Sequence, residues 1–286
     1  MWIKDKIPIF AKNNQHRSAM LSSIILLALS VLPVILLMVF IYRQDKYQKE
    51  PIKSLAKAFI GGMIAIPLDI LIVGFINDIW MSNTVFYNAF WEAGIPEELS
   101  KFIIFMALIW WDKNFDEYMD GIVYASFIGL GFACVENIMY VFGAASESLG
   151  SGIGTGVVRA LLSVPGHFLF GVVMGYFLAL AKFKKEKRFV YLMSGLLLAM
   201  LAHGLFDWLL MVTNVVPALG GIIYIVFLWG DIKLWRLGLK YINKQQENSR
   251  QQAQDAMLAD AEYQINQSGT GYDSEYKRID WNAGDR

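Results

Sequence analysis

The sequence holds a single cysteine, Cys134, and it stands inside an apolar run. That rules out a disulfide framework and a thiol-based zinc site. Charge is scarce as well: Asp, Glu, Lys and Arg make up 17% of the 286 residues, with 25 basic groups balancing 25 acidic ones. The Lys and Arg fall in short clusters that flank hydrophobic segments, so no extended basic surface exists for nucleic acid. Histidine is rarer still, at three positions, His16, His167 and His203. Neither Ser nor Cys stands in a recognisable nucleophile–base arrangement, and there is no internal repeat or second globular domain. Apolar residues are abundant instead: 56% of the chain is hydrophobic and 14% aromatic, with a mean hydropathy of +0.43. Runs of eighteen or more nearly uncharged apolar residues mark membrane spans.

Hydropathy predicts an all-α polytopic membrane protein with about seven transmembrane helices and a polar C-terminal tail. Residues 1–17 are polar and basic, and the run 18–42 is too long for a signal peptide, so it reads as a retained anchor. Further spans are expected near 58–80, 97–111, 120–142, 157–181, 189–212 and 217–239. The 97–111 run is short for a full crossing, which places its first turns inside the protein, away from lipid. Three parts follow: an N-terminal segment and anchor (1–54), a polytopic catalytic domain (55–240) and a tail (241–286), helical at first and disordered from about Asn266. Segments 43–57 and 182–188 carry five Lys or Arg each, whereas 81–96, 143–156 and 213–216 carry none. The positive-inside rule therefore puts the tail in the cytoplasm. It puts the N-terminus outside, against the pull of Lys4, Lys6, Lys12 and Arg17. Gly150–Gly156 has the composition of a mobile loop, and Gly171 with Gly175 forms a Gly-x-x-x-Gly packing pair.

The chain is organised around Ile95-Pro96-Glu97-Glu98-Leu99-Ser100-Lys101. Pro96 suits the first position of a helix, which makes Glu97 and Glu98 first-turn acids favoured by the helix dipole. Glu97 and Lys101 share a face, with Glu98 rotated away by one position. Taken alone, this is a well-formed helix start. Depth along the spans gives it a further meaning. At about 1.5 Å per residue, Glu136 lies roughly 24 Å above the cytoplasmic start of its span and His203 roughly 22 Å above Arg188. His167 lies roughly 22 Å above Lys182, and Glu97 and Glu98 roughly 20 Å above Asp112. These groups from four spans share one band in the outer half of a core about 30 Å thick, with Asp207 about one turn above His203. Such ionisable groups inside a membrane point to a buried site.

Each has a structural alternative. His203 and Asp207, at i and i+4, form either a metal-binding or orienting pair or a satisfied structural one. Glu136-Asn137 could be an interhelical hydrogen-bond pair. Pro165-Gly166 bends the span and re-aims His167. Asp69, in the second span, is either an accessory member of the site or a helix-packing acid, and Asp112, Asp116, Glu117 and Asp120 read as a solvated cytoplasmic loop. Two hydrolytic chemistries suit Glu with His: imidazoles and a carboxylate holding Zn²⁺ while a second Glu takes the proton, or a metal-free Glu-activated water with His and Asp polarising the carbonyl.

Glu97-Glu98-x-x-Lys101, Phe132-x-x-x-Glu136-Asn137, Gly166-His167 and His203-x-x-x-Asp207, in that order, resemble the motifs of PrsW-type intramembrane proteases. Phe115–Tyr124 and Gly129–Phe132 share the likeness, which spans about residues 55–240. The related CAAX prenyl endopeptidases have His where this chain has Glu136 and Asn where it has Asp207. The resemblance implies an endopeptidase that cuts membrane-tethered proteins, such as a regulatory protein, near the outer surface of a bacterial cell membrane. It implies Glu97 or Glu98 as the water-activating base, with the other glutamate and Lys101 shaping the site. It further implies Glu136, His167 and His203 as metal ligands (possible metal Zn²⁺) or as oxyanion and water positioners, and Asp207 as the group orienting His203. The lipid bilayer and a membrane-tethered protein substrate are the expected partners. The other readings are CAAX-type processing, a proton- or cation-coupled transporter, which predicts inverted repeats, and an inactive protein that holds membrane partners.

Overall fold

A computed structural model describes residues 6–268, and among them there is no strand. The helices are α1 (Lys6–Gln44), α2 (Ile52–Ile79), α3 (Val85–Ala89), a π-turn (Phe90–Gly94), α4 (Ile95–Leu108) and α5 (Tyr118–Glu147). They continue as α6 (Leu149–Leu161), α7 (Ser163–Phe183), a 3₁₀ turn (Lys185–Lys187), α8 (Arg188–Val215) and α9 (Pro217–Ser268). Among the described residues, six stretches are long and apolar enough to cross a membrane: 20–44, 52–79, 118–147, 149–183, 185–213 and 218–265. The expected seventh, α4, has only 14 residues, about 21 Å of helix, and its first turn is buried in protein at Pro96, Glu97, Glu98, Ser100 and Lys101.

Helix α5 is the hub. Every residue from Met119 to Cys134 is buried, the mark of a helix surrounded on all sides. Its most extensive partner is α7, followed by α2. Gly171 and Gly175 are where α7 meets it: a Cβ on Gly171 would lie 2.8 Å from the Ala125 carbonyl oxygen, and one on Gly175 would strike the backbone of Gly121. The pair therefore serves packing, as its spacing predicts.

One expectation is corrected. Gly150–Gly156 is not a loop but part of α6. Gly152 and Gly156 face Ala145, Leu26 and Leu29 at distances that leave little or no room for a side chain. Here glycine serves close helix approach, which composition alone does not distinguish from flexibility. The expected span 157–181 lies within the stretch 149–183, and its bend falls at Leu162 (φ −119°, ψ −60°), where α6 meets α7, three residues before Pro165. Pro165 lies in the first turn of α7, where a missing N–H leaves no intrahelical bond unmade.

The connections gather at two ends. At one end, Lys182 Nζ donates to the Trp110 carbonyl (2.6 Å), Lys57 pairs with Asp112, and Gln246 Nε2 of α9 donates to the Gln44 carbonyl (2.7 Å). At the other end, Trp80 packs edge-on against Tyr87 and Trp91, an aromatic pattern typical of a membrane interface. Helix α9 runs unbroken past residue 240, and its polar half packs back on the first end through Gln245 and Ser249, both buried. The expected disordered tail lies almost wholly outside the described residues.

Candidate active site

The π-turn brings the acids in. Gly94, its last residue, lies against α8 so closely that a Cβ would sit 2.7 Å from the Gly204 backbone nitrogen. Helix α4 therefore starts beside His203, and Glu97 and Glu98 enter the protein interior on its first turn. π-turns recur at functional sites because they re-aim the residues that follow.

Lys101 binds both acids. Its Nζ lies 2.8 Å from Glu98 Oε1 and 3.2 Å from Glu97 Oε2, so the one-position rotation of Glu98 still leaves it in reach. The same ammonium is 3.1 Å from His167 Nδ1 and 4.1 Å from the Phe132 ring centre, a cation–π contact in a dry site. From the other side, His203 Nδ1 is 2.9 Å from Glu98 Oε1, with its ring stacked on Phe170 at 4.6 Å. The two imidazoles meet edge to face at 5.2 Å.

The far nitrogen of each imidazole faces a carboxylate. His167 Nε2 is 2.7 Å from Glu136 Oε2, and His203 Nε2 is 3.4 Å from Asp207 Oδ2. All seven residues picked out in the sequence thus fall in one cluster. Within it, Glu97, Glu98, His167 and His203 each offer one donor atom, all within 4.8 Å of one another. Glu136 stands behind His167, outside that set of four. A cavity of about 220 Å³ opens onto Glu97, Glu136, Arg159, His167, His203 and Asp207. Glu98 and Lys101 are not in its lining; they lie behind Glu97.

Sequence reasoning missed Arg159. Its Nη2 lies 2.7 Å from Glu136 Oε2, and its Nε donates to Asn137 Oδ1 at 2.7 Å. Asn137 Nδ2 in turn donates to the Ser30 carbonyl at 3.0 Å. A signal was available: Arg159 is the sole Lys or Arg between residues 114 and 181, and an isolated cation in an apolar run needs an internal partner.

The residues suit a divalent metal. Four carboxylates face two permanent cations, Lys101 and Arg159, so two negative charges await a metal ion or protons on the imidazoles. Nitrogen and oxygen donors with a carboxylate behind each imidazole form an arrangement common at zinc.

The model of the PrsW family intramembrane metalloproteases matches residues 50–230. The chain belongs to that family. It is 36% identical over 224 residues to protease PrsW of Clostridioides difficile (strain 630), covering 76% of this chain and 92% of that protein. It is 34% identical over 190 residues to protease PrsW of Geobacillus kaustophilus (strain HTA426), covering 65% and 80% of the two chains. Against protease PrsW of Bacillus subtilis (strain 168) it is 33% identical over 210 residues, covering 71% and 90%. No solved structure gives a significant match. This PrsW-family chain is therefore an intramembrane peptidase, an integral membrane protein acting on protein substrates, and its family is a metalloprotease one.

Proposed function

We propose that the chain hydrolyses a peptide bond of a membrane-tethered protein in the cavity beside α4, with Glu97 as the base that activates water. The observation that carries this reading is the convergence of Glu97, Glu98, His167 and His203 donors within 4.8 Å at a cavity that Glu97 faces. Glu98 is 1% exposed and held by both Lys101 and His203, so it has no direct route to substrate.

His167, His203 and Glu98 would hold the metal, taking over from the Lys101 ammonium the contacts it makes with Glu98 Oε1 and His167 Nδ1, and zinc suits two imidazoles and a carboxylate. When bound, it supplies a Lewis acid that polarises the scissile carbonyl and makes water acidic enough to yield its proton near neutral pH. The chain's own groups do the rest. Glu97 takes the proton from the attacking water and passes it to the departing amine. Glu136 and Asp207 fix the orientation and tautomer of His167 and His203. Lys101 compensates the adjacent charges of Glu97 and Glu98, and Arg159 holds Glu136 against His167. The substrate is a membrane-tethered protein, regulatory in kind, cut toward the end opposite the basic loops, in a bacterial cell membrane with the tail in the cytoplasm.

The test is the metal content of detergent-purified protein beside a His167→Ala, His203→Ala double variant. Near-stoichiometric zinc that disappears in the variant is the expected result. Metal-free protein that still cleaves a model membrane substrate would overturn the metal assignment and leave Glu97 acting on water without it.

A further inference from the structure

At the end of the molecule far from the catalytic cavity, four carboxylates are buried together, and among the described residues no Lys or Arg is paired with them. Asp45 closes α1, Glu50 lies in the α1–α2 connection, and Glu117 and Asp120 form the capping box of α5. Asp45 and Asp120 are fully buried, Glu50 is 3% exposed and Glu117 is 6% exposed. The expectation of a solvated loop at Glu117 and Asp120 is thereby corrected.

The hydrogen bonds of these groups leave a consistent remainder. Asp45 Oδ2 accepts from the Glu50 backbone N–H at 3.2 Å, and Asp45 Oδ1 has no partner. Asp120 Oδ2 accepts from the backbone N–H groups of Asp116 (2.9 Å) and Glu117 (2.7 Å), and Asp120 Oδ1 has none. Glu117 caps α5 and leaves Oε1 free. Asp45, Glu117 and Asp120 each bring one oxygen within 4.8 Å of the others, with carboxyl-to-carboxyl contacts between Asp45 and Glu117 and between Glu50 and Asp120. Among the described residues no Lys or Arg pairs with any of the four carboxylates. The nearby Lys49 spends its ammonium on the backbone carbonyls of Tyr42 and Asp45. Tyr124 donates its hydroxyl to Glu50.

An unpartnered buried carboxylate oxygen is costly, and three of them facing each other repel. Burial pushes Glu50 up to about 7 against hydrogen bonds from Asp120 and Tyr124 that pull it down, and burial with the neighbouring Asp45 pushes Glu117 up to about 8. Burial likewise raises Asp45. Positive charge is what the cluster lacks. An all-oxygen carboxylate set selects a hard cation over zinc.

We propose that Asp45, Glu117 and Asp120, with Glu50 alongside, bind one hard divalent cation of the Mg²⁺ or Ca²⁺ class that ties the α1–α2 connection to the start of α5. Helix α9 laps the same point: Met119 N–H donates to Ser249 Oγ at 2.9 Å, and Gln252 Nε2 donates to the Asp116 carbonyl at 2.7 Å. The cation thus fastens two connections, with α9 laid over them, at the foot of the helix that carries Glu136. It is a second site, distinct from the catalytic one in place and in ligand chemistry.

The test uses the full chain in detergent with the His167→Ala, His203→Ala background, which removes the catalytic imidazoles. Mn²⁺ is titrated and followed by electron paramagnetic resonance. One Mn²⁺ per chain, displaced by Mg²⁺ or Ca²⁺ and bound at least about tenfold more weakly in Asp120→Asn, is expected. No bound Mn²⁺ in the background protein, or binding unchanged by Asp120→Asn, overturns the site. Because Asp120→Asn also alters the α5 cap, unsubstituted protein is loaded with Fe²⁺ and exposed to ascorbate and peroxide. Backbone cuts near 45–50 and 116–120, blocked by excess Mg²⁺, are expected, and cuts confined to the catalytic residues would sink the proposal. Zinc at the catalytic site can be absent while these results hold, so the two assignments fail separately.

Discussion

Glu97 and Glu98 are neighbours in sequence with different surroundings, and that difference assigns them different work. Glu97 faces the cavity; Glu98 lies behind it, clamped by Lys101 and His203. Glu97→Gln should lower the cleavage rate by about 10²–10⁴-fold, the usual contribution of a general base, with little change in thermal unfolding. Glu98→Ala leaves Lys101, 4% exposed, with Glu97 at the longer distance as its one paired carboxylate. Breaking a buried pair by removing one partner costs about 3–5 kcal/mol, so this variant should lose stability as well as activity. Parallel cleavage and unfolding assays in detergent separate the two, and equal destabilisation by both substitutions would contradict the division of roles. Arg159 belongs to the same scale. Arg159→Gln keeps a donor for Asn137 but loses the charge that holds Glu136, and should slow cleavage about 10–100-fold through His167, as removal of an orienting partner typically does. A slower rate with unchanged His167 chemical shifts would place Arg159 on the substrate instead.

At the scale of helices, the spans were legible because lipid demands long uncharged segments, and so was the meeting of Glu97, Glu98, Glu136, His167, His203 and Asp207, because depth follows from rise per residue. The rest depends on tertiary contact. The π-turn at Phe90–Gly94 exists against Gly204 of α8, and nothing local announces it. Helix α6 looked like a loop since its glycines are indistinguishable, as composition, from those of a linker. What sets packing glycines apart is what lies beside them. A Cβ on Gly131 would strike the Phe59 carbonyl of α2, whereas one on Gly143, in the same helix, meets nothing within 4 Å. Gly131→Ala should therefore push α2 away from α5 and cost stability and activity together, by about 1–3 kcal/mol as overpacking does. Gly143→Ala should be neutral or stabilise by up to about 1 kcal/mol through helix propensity. Thermal unfolding of the two variants decides it: similar losses would mean that α2 and α5 are not held at this contact.

Across the whole molecule, polarity is sorted by end. Basic connections, the acidic cluster and the polar half of α9 gather at one end, and Trp80, Tyr87 and Trp91 mark the other. Glu97 lies one α4 length, about 20 Å, from the basic end, beyond the midplane of a core about 30 Å thick. If Lys and Arg face the cytoplasm, a substrate reaches the cavity from the outer leaflet and is cut on that side. The natural background for a labelling test is low, since Cys134 is buried at 7% exposure. Glu147→Cys, at the end of α5, should react with a membrane-impermeant maleimide in intact cells. Lys185→Cys, in the turn before α8, should react only after permeabilisation. The reverse pattern would invert the protein and move the expected cleavage to the cytoplasmic half of the bilayer. That outcome would leave the helix packing and the catalytic cluster untouched, because both are fixed by contacts within the protein; only the side from which a substrate is shed would change.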